Sequence, residues 1–338
     1  MAKLPLAQET IPPGEEKIIA DLAGRLQAKI IRDNAGGIMR RDAHPKMHGL
    51  VRAEFIIEPD LPEQLKIGIF KEARSYQAWV RFSNQNGSIA PDIKRDIRGM
   101  AIKLMGVGGE KLLAQEKDAQ TQDFILISTK VFVTRDVEEF DDLVKAMTGS
   151  LWSKIVFFSS HWRFLWNMFK SMRKFANPLQ IRYWSTTPYL FGKTACKYSA
   201  IPCFDTPDAL PKNPADGYLR EAMVRRLEQG GVQFDFTVQL QTDAEAMPIE
   251  DPGQAWPESA SPFRKVATIK IAQQSFDSEK QREAGENFSF NPWHCLPEHR
   301  PLGGVNRARK VVYEAISVFR HRENKVQREE PTSWEISE

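Results

Sequence analysis

Residues 75–106, SYQAWVRFSNQNGSIAPDIKRDIRGMAIKLMG, decide the fold. Two runs of apolar, aromatic and β-branched residues, SYQAWVRFS (75–83) and GMAIKLMG (99–106), flank a stretch rich in Asn, Gly, Ser and Pro. Such runs read as strands, and the stretch between them as a loop. The pattern recurs on either side, in GLVRAEFIIE (49–58, closed by Pro59), DFILIST (123–129), FDFTVQLQT (234–242) and RKVATIKIA (264–272). GVGGE (106–110) lacks the spacing and downstream helix of a phosphate loop and reads as a hairpin turn. Helical periodicity covers 14–34, ended by Gly36 and Gly37, and then VEEFDDLVKAM (137–147), YLREAMVRRLEQ (218–229) and NRARKVVYEAISVFRHR (306–322). Strands that follow one another without regular βαβ alternation predict an antiparallel sheet closed as a barrel, with helices grouped elsewhere. That is an α+β fold.

Composition narrows the rest. With 41% hydrophobic and 27% charged residues the chain has a real core, which excludes disorder over most of its length. Its 47 Lys plus Arg against 44 Asp plus Glu give a net charge of only +3, with both signs interspersed. A nucleic-acid partner is therefore not expected. Cys196, Cys203 and Cys295 are too few and too irregular for a disulfide framework or a zinc cluster, and a reduced compartment follows. The N-terminal MAKLPLAQETIPPGEEK has no apolar signal region, and no run of apolar residues is long enough to span a bilayer. A cytoplasmic protein is expected. With no repeat and no linker, residues 1–338 read as one domain, with a helical arm over 1–35 and a charged, frayed tail over 323–338.

Residues 151–175, LWSKIVFFSSHWRFLWNMFKSMRKF, are dense in Trp, Phe and Leu. A helix or helix pair buried on a large apolar core is the favoured reading. The alternative is an amphipathic surface that lines a lipid-accessible channel or makes peripheral membrane contact, because basic residues are mixed with the aromatic ones.

His44 and His48 are four apart, but Pro45 between them and the lack of a third ligand argue against a metal pair. Three separated patterns carry more weight. The first is Arg41-Asp-Ala-His44-Pro-Lys46, just before a strand. The second is Val80-Arg81-Phe-Ser83, followed by Arg95-Asp96-Ile-Arg98-Gly99-Met-Ala-Ile-Lys103. The third is Phe290-Asn-Pro-Trp-His294, followed by Asn306-Arg-Ala-Arg309-Lys-Val-Val-Tyr313 and Arg320. In order and spacing the set resembles the haem catalase family over residues 40 to 322.

The resemblance implies a catalase-like antiparallel β-barrel with flanking helices, binding one haem b and its iron. Tyr313 matches the position that ligates the iron, and Arg309, four residues earlier on the same helical face, is placed to donate to the phenolate. His44 matches the distal histidine, which takes a proton from one peroxide oxygen and returns it to the other. Ser83 matches the hydroxyl that orients this imidazole, and Arg41, Arg81 and Arg320 match the positions that pair with the haem propionates.

Where catalases carry Asn-Asn-Thr-Pro, this chain has Ala-Gln-Thr121-Gln122-Asp123-Phe. Thr121 or Gln122 then stands in the approximate place of the distal asparagine. Ala43 replaces a usual valine, and the chain is shorter than ordinary catalases. These departures resemble the small catalase-related branch. The implied activity is reduction of H₂O₂ or an organic hydroperoxide through an oxyferryl intermediate, with peroxidase favoured over catalase turnover. An allene-oxide-synthase-like or hydroperoxide-lyase-like enzyme acting on fatty-acid hydroperoxides is the alternative. A non-catalytic haem carrier is a third reading, opposed by the presence of both His44 and Arg41. A homo-oligomer is compatible with all three.

Overall fold

The computed structural model describes residues 5–34 and 37–336. Gly36, expected to help end the first helix, lies outside them. Strands β1 (Met47–Ile57), β2 (Ser75–Asn84), β3 (Arg98–Met105) and β4 (Thr121–Ile127) form one antiparallel meander. A second consists of β6 (Tyr189–Phe191), β7 (Thr194–Cys203), β8 (Val232–Leu240) and β9 (Arg264–Ile271). On one side β1 pairs with β9, Glu54 opposite Lys270. On the other, the two-residue β5 (Tyr183–Trp184) bridges β4 and β7. The sheet thus closes as an eight-stranded antiparallel barrel, with β6 appended outside the ring on β7. The expected strands are all present within two residues of their predicted ends. Gly106 and Gly109 hold positive φ in the β3–β4 connection, as a turn requires.

Alternation along these strands sends one set of side chains inward. Phe55, Phe124, Tyr198 and Phe236 meet there, with Phe236 4.9 Å from both Phe55 and Phe124 and 5.5 Å from Tyr198. The barrel interior is filled, so it forms a core and not a pore. His299 is embedded in it: its Nε2 accepts from the Ile69 N–H at 3.2 Å, which leaves Nδ1 facing the Tyr198 hydroxyl at 3.1 Å. Among the polar groups buried at one barrel end, His48 donates from Nε2 to Asn84 Oδ1 at 2.6 Å. Asn84 and Lys46 in turn both bond Asp92, at 3.0 and 2.7 Å.

Burial pushes His48 down to about 4 and His299 down to about 3. Both rings stay neutral in the folded chain, whereas unfolded they protonate near 6.5. The unfolded state therefore binds more protons as pH falls below that value, and stability falls with it. For each ring the slope is about 1.4 kcal/mol per pH unit between pH 6 and 4. We expect His299→Gln to reduce the pH slope of the urea-unfolding free energy by about that amount. An unchanged slope would contradict a neutral folded-state ring.

Outside the barrel, α1 (Glu15–Asp33), α2 (Val137–Thr148) and α7 (Gly304–Asn324) pack through Ile19, Leu22, Leu26, Val144, Ala308 and Val312. Two further helices, α5 (Tyr218–Gln229) and α6 (Glu279–Asn287), lie against β1. Asp136 caps α2 by accepting from the Glu139 N–H at 2.8 Å. On α2 rests the helix pair α3 (Leu151–Ser160) and α4 (Trp162–Ser171). The pair is helical as expected, but only partly buried. Phe157 and Phe164 pack with Ala146, whereas Trp152, Trp162, Trp166 and Phe169 face outward. Among the described residues no helix is long and apolar enough to cross a membrane.

The tail is not frayed where it was expected to be. Trp334 donates to Ala78 O at 3.0 Å and Trp79 donates to Ser333 O at 3.1 Å. Glu330 meets Lys103 at 2.6 Å, and Asp123 meets the same ammonium at 2.7 Å. A buried lysine demands carboxylates, and one of them comes from the tail.

Candidate active site

His44 ends the loop that enters β1 and has a positive φ of 65°, uncommon for a residue with a side chain. Three contacts hold this conformation. Its N–H donates to Gln85 O at 3.2 Å, its carbonyl accepts from Arg81 Nη2 at 3.0 Å, and its Nδ1 lies 3.0 Å from Ser83 Oγ. With Nδ1 engaged by Ser83, Nε2 is the nitrogen left for chemistry.

Gly99, on the neighbouring strand, forms the floor. A Cβ there would lie 2.5 Å from His44 Cε1 and 2.6 Å from Nδ1. Gly99→Ala must therefore displace the ring. A misplacement of about 1 Å costs roughly 10²-fold in rate, so we expect kcat/KM for H₂O₂ to fall by about that factor with cofactor content unchanged. Steady-state kinetics alongside the absorbance spectrum check this, and wild-type turnover in the variant would remove Gly99 from the positioning of His44.

Burial, then the charges of Arg81, Arg41 and Arg309, lower His44 to about 3. The imidazole is neutral and able to accept a proton.

Arg41, Arg81 and Arg320 converge on a single acidic residue, Glu286 of α6. Arg41 and Arg81 reach its carboxylate at 3.3 and 3.4 Å, and Arg320 donates to its carbonyl at 2.7 Å. Burial and the neighbouring Arg41 push Arg81 and Arg320 each down to about 9. Three cations against one carboxylate leave room for two more negative charges. A haem b, with its two propionates, fits that surplus.

On α7, Arg309 Nη2 lies 3.3 Å from the Tyr313 hydroxyl, and Nη1 is steadied by Asn306 Oδ1 at 3.0 Å and Thr187 Oγ1 at 3.2 Å. The i, i+4 spacing puts both side chains on one helical face. Tyr313 is half-buried and its oxygen faces a guanidinium, which suits an anionic ligand to a ferric ion. Tyr313, Arg309, Arg320, Arg41, Arg81, Ser83 and His44 are thus brought to one region.

Thr121 is not. The strand register sets Gly99 opposite Ile127 but Met105 opposite Thr121, so Thr121 lies about 20 Å along β4 from the His44 end. Its hydroxyl bonds His294 Nε2 at 2.6 Å and Glu330 at 2.7 Å. Gln122 is equally remote, accepting from the Leu296 N–H at 3.0 Å. At the His44 end of β4 the register sets Ile127 opposite Gly99, while Ser128 pairs with Arg98, its hydroxyl accepting from the Arg98 N–H at 2.9 Å, and so belongs to the other face of the sheet. Glu286 gave no signal, because Glu in EKQREAGEN reads as a solvated helix face. Asn306 stood within the quoted motif without a role.

The sequence profile of the family described as Catalase matches residues 17–180, a span that contains His44, Ser83, Arg41 and Arg81 but not Tyr313. A "Catalase-related peroxidase" of Mycolicibacterium paratuberculosis is 27% identical over 259 residues, which is 70% of this chain and 76% of the relative. Among solved structures, a fungal catalase superposes with a TM-score of 0.63 at 17% identity, covering 96% of this chain and 65% of its own. Catalase A from Saccharomyces cerevisiae gives 0.63 at 18%, covering 95% and 67%. At that identity the likeness is one of fold, and the chain spans about two thirds of the fungal protein's length.

Proposed function

We propose that this chain, which belongs to the catalase family, is a peroxidase that reduces hydroperoxides with a haem b held between His44 and Tyr313. One observation carries the reading. Arg81 Nη2 joins the parts: it donates to the His44 carbonyl at 3.0 Å and reaches the Glu286 carboxylate at 3.4 Å, where Arg41 and, from the helix that carries Arg309 and Tyr313, Arg320 also converge. When bound, haem supplies the redox change at the peroxide O–O bond.

The chain's own residues do the rest. Tyr313 would hold the iron through its oxygen, which Arg309 Nη2 faces at 3.3 Å. Arg41, Arg81 and Arg320 receive the propionates. Pairing with carboxylates offsets the cations that hold His44 down, so its basicity rises when the cofactor is in place. His44 Nε2 then accepts the proton of one peroxide oxygen and delivers it to the departing one, with Ser83 fixing the ring. Thr121 and Gln122 lie at the far end of β4, so the stretch of that strand beside Gly99 offers His44 no side-chain amide. That supports one-peroxide turnover with an external donor over disproportionation of a second H₂O₂.

The test uses haem-loaded protein and H₂O₂, following oxidation of an added donor beside release of O₂. Donor oxidation should dominate. O₂ release without donor oxidation would make the protein a catalase, and absence of a Soret band after haem addition would sink the reading altogether. The lipid-isomerase alternative depended on 151–175 as a channel wall with Lys154 and Arg163 available for a carboxylate. Arg163 is instead paired with Asp251 at 2.9 Å, and much of the apolar surface of α3 and α4 points outward.

A further inference from the structure

We infer that the outer face of α3 and α4 is a docking surface for an anionic phospholipid bilayer. Leu151, Trp152, Ile155 and Val156 repeat on one side of α3, and Trp162, Leu165, Trp166 and Phe169 on one side of α4. Trp152 is 71% exposed, Trp162 74% and Phe169 66%. The opposite sides are already occupied by Phe157 and Phe164 against Ala146, so these outward residues are surplus to the core. Single exposed apolar residues are ordinary on a surface, but a continuous face across two helices is an interaction site.

Charge names the occupant. Between Asp142 and Asp205 the sequence has no acidic residue, while 151–175 carries Lys154, Lys170, Arg173 and Lys174 besides the Arg163 that pairs with Asp251. In a chain whose net charge is only +3, this is a local concentration. Lys170 lies 4.3 Å over the Trp166 ring and Arg95 lies 5.6 Å over Phe169, so cations sit at the apolar face itself. A second copy is a poor occupant, because a two-fold contact would set these cations against themselves. Protein interfaces are also depleted in lysine. A bilayer with anionic headgroups accepts both halves of the pattern. Tryptophan settles at the headgroup level, aliphatic side chains pass below it, and lysine and arginine meet the lipid phosphates.

The experiment floats the full haem-loaded chain with vesicles of equal parts phosphatidylglycerol and phosphatidylcholine. Binding should exceed that to pure phosphatidylcholine by roughly tenfold or more, and should weaken with salt. Tryptophan emission should shift to the blue and be quenched by brominated lipid. The variant Trp152→Ser/Trp162→Ser/Trp166→Ser should lose binding by more than about tenfold while keeping its Soret spectrum and melting temperature. Lys154→Glu/Lys170→Glu/Lys174→Glu, which leaves the aromatic face intact, should lose roughly fivefold or more per cation. Wild-type protein that stays out of the vesicle fraction would overturn the inference, as would either variant floating as well as wild type. A concentration-dependent dimer that the Trp variant abolishes, without vesicle binding, would assign the face to self-association and overturn it equally.

Discussion

Tyr313→Phe should abolish stable haem binding while leaving the barrel folded. The substitution keeps the ring that α7 packs beside Arg309 and removes only the oxygen, 3.3 Å from Nη2. Losing a group that merely supports a metal ligand costs roughly 10–100-fold in affinity, so loss of the ligand itself should cost at least that. The Soret absorbance relative to protein, measured after dialysis against apo-myoglobin as an acceptor, reads the effect. Far-UV circular dichroism should not change. A variant that holds a full complement of haem with an unchanged spectrum would place the axial ligand elsewhere.

His44→Ala should keep haem, since Tyr313 and the arginines are untouched, and lose roughly 10²–10⁴-fold in kcat/KM for H₂O₂. His48→Ala should leave that parameter within a few-fold, because His48 is tied into the Asn84 and Asp92 cluster and contributes to stability. The pH profile gives a second reading of the same group. Activity needs the neutral imidazole, so it is present above the His44 pKa and lost as pH falls through it. That acid limb should lie above about 3, the position set by burial together with unopposed arginines, because propionates offset Arg41 and Arg81. A limb that survives unchanged in His44→Ala would show that another group titrates there.

The barrel was legible because six of its strands are short β-branched or aromatic runs, three of them bounded by Pro59, Asn84 and Gly106. What escaped was β7, TACKYSAIPC, whose small residues and buried Lys197 do not look like a core strand. Its burial comes from packing between two neighbours, which no local pattern records. The site residues fixed by motif spacing, from Arg41 to Tyr313, came together in space. Thr121 failed because its place was judged by distance along the chain, whereas strand register decides which end of β4 faces Gly99. The tail looked dispensable for a related reason: the partner that Lys103 needs lies 227 residues away.

The two meanders have a bearing on the order of assembly. Strand pairs within each meander join residues far nearer in sequence than the seam does, such as Asn84 with Arg98 and Cys203 with Gln233, so each half-barrel closes shorter loops. The seam between β1 and β9 joins Glu54 to Lys270, and its loop-closure entropy is met only when both halves exist. Arg41, His44, Arg81 and Ser83 belong to the first half, while Arg309, Tyr313 and Arg320 follow the second. Neither half alone carries both faces of a cofactor site. Prosthetic-group capture is therefore a late event, downstream of seam formation, and refolding monitored at the Soret band should lag intrinsic fluorescence. If haem binds as proposed, the chain it meets should be one whose barrel is already closed.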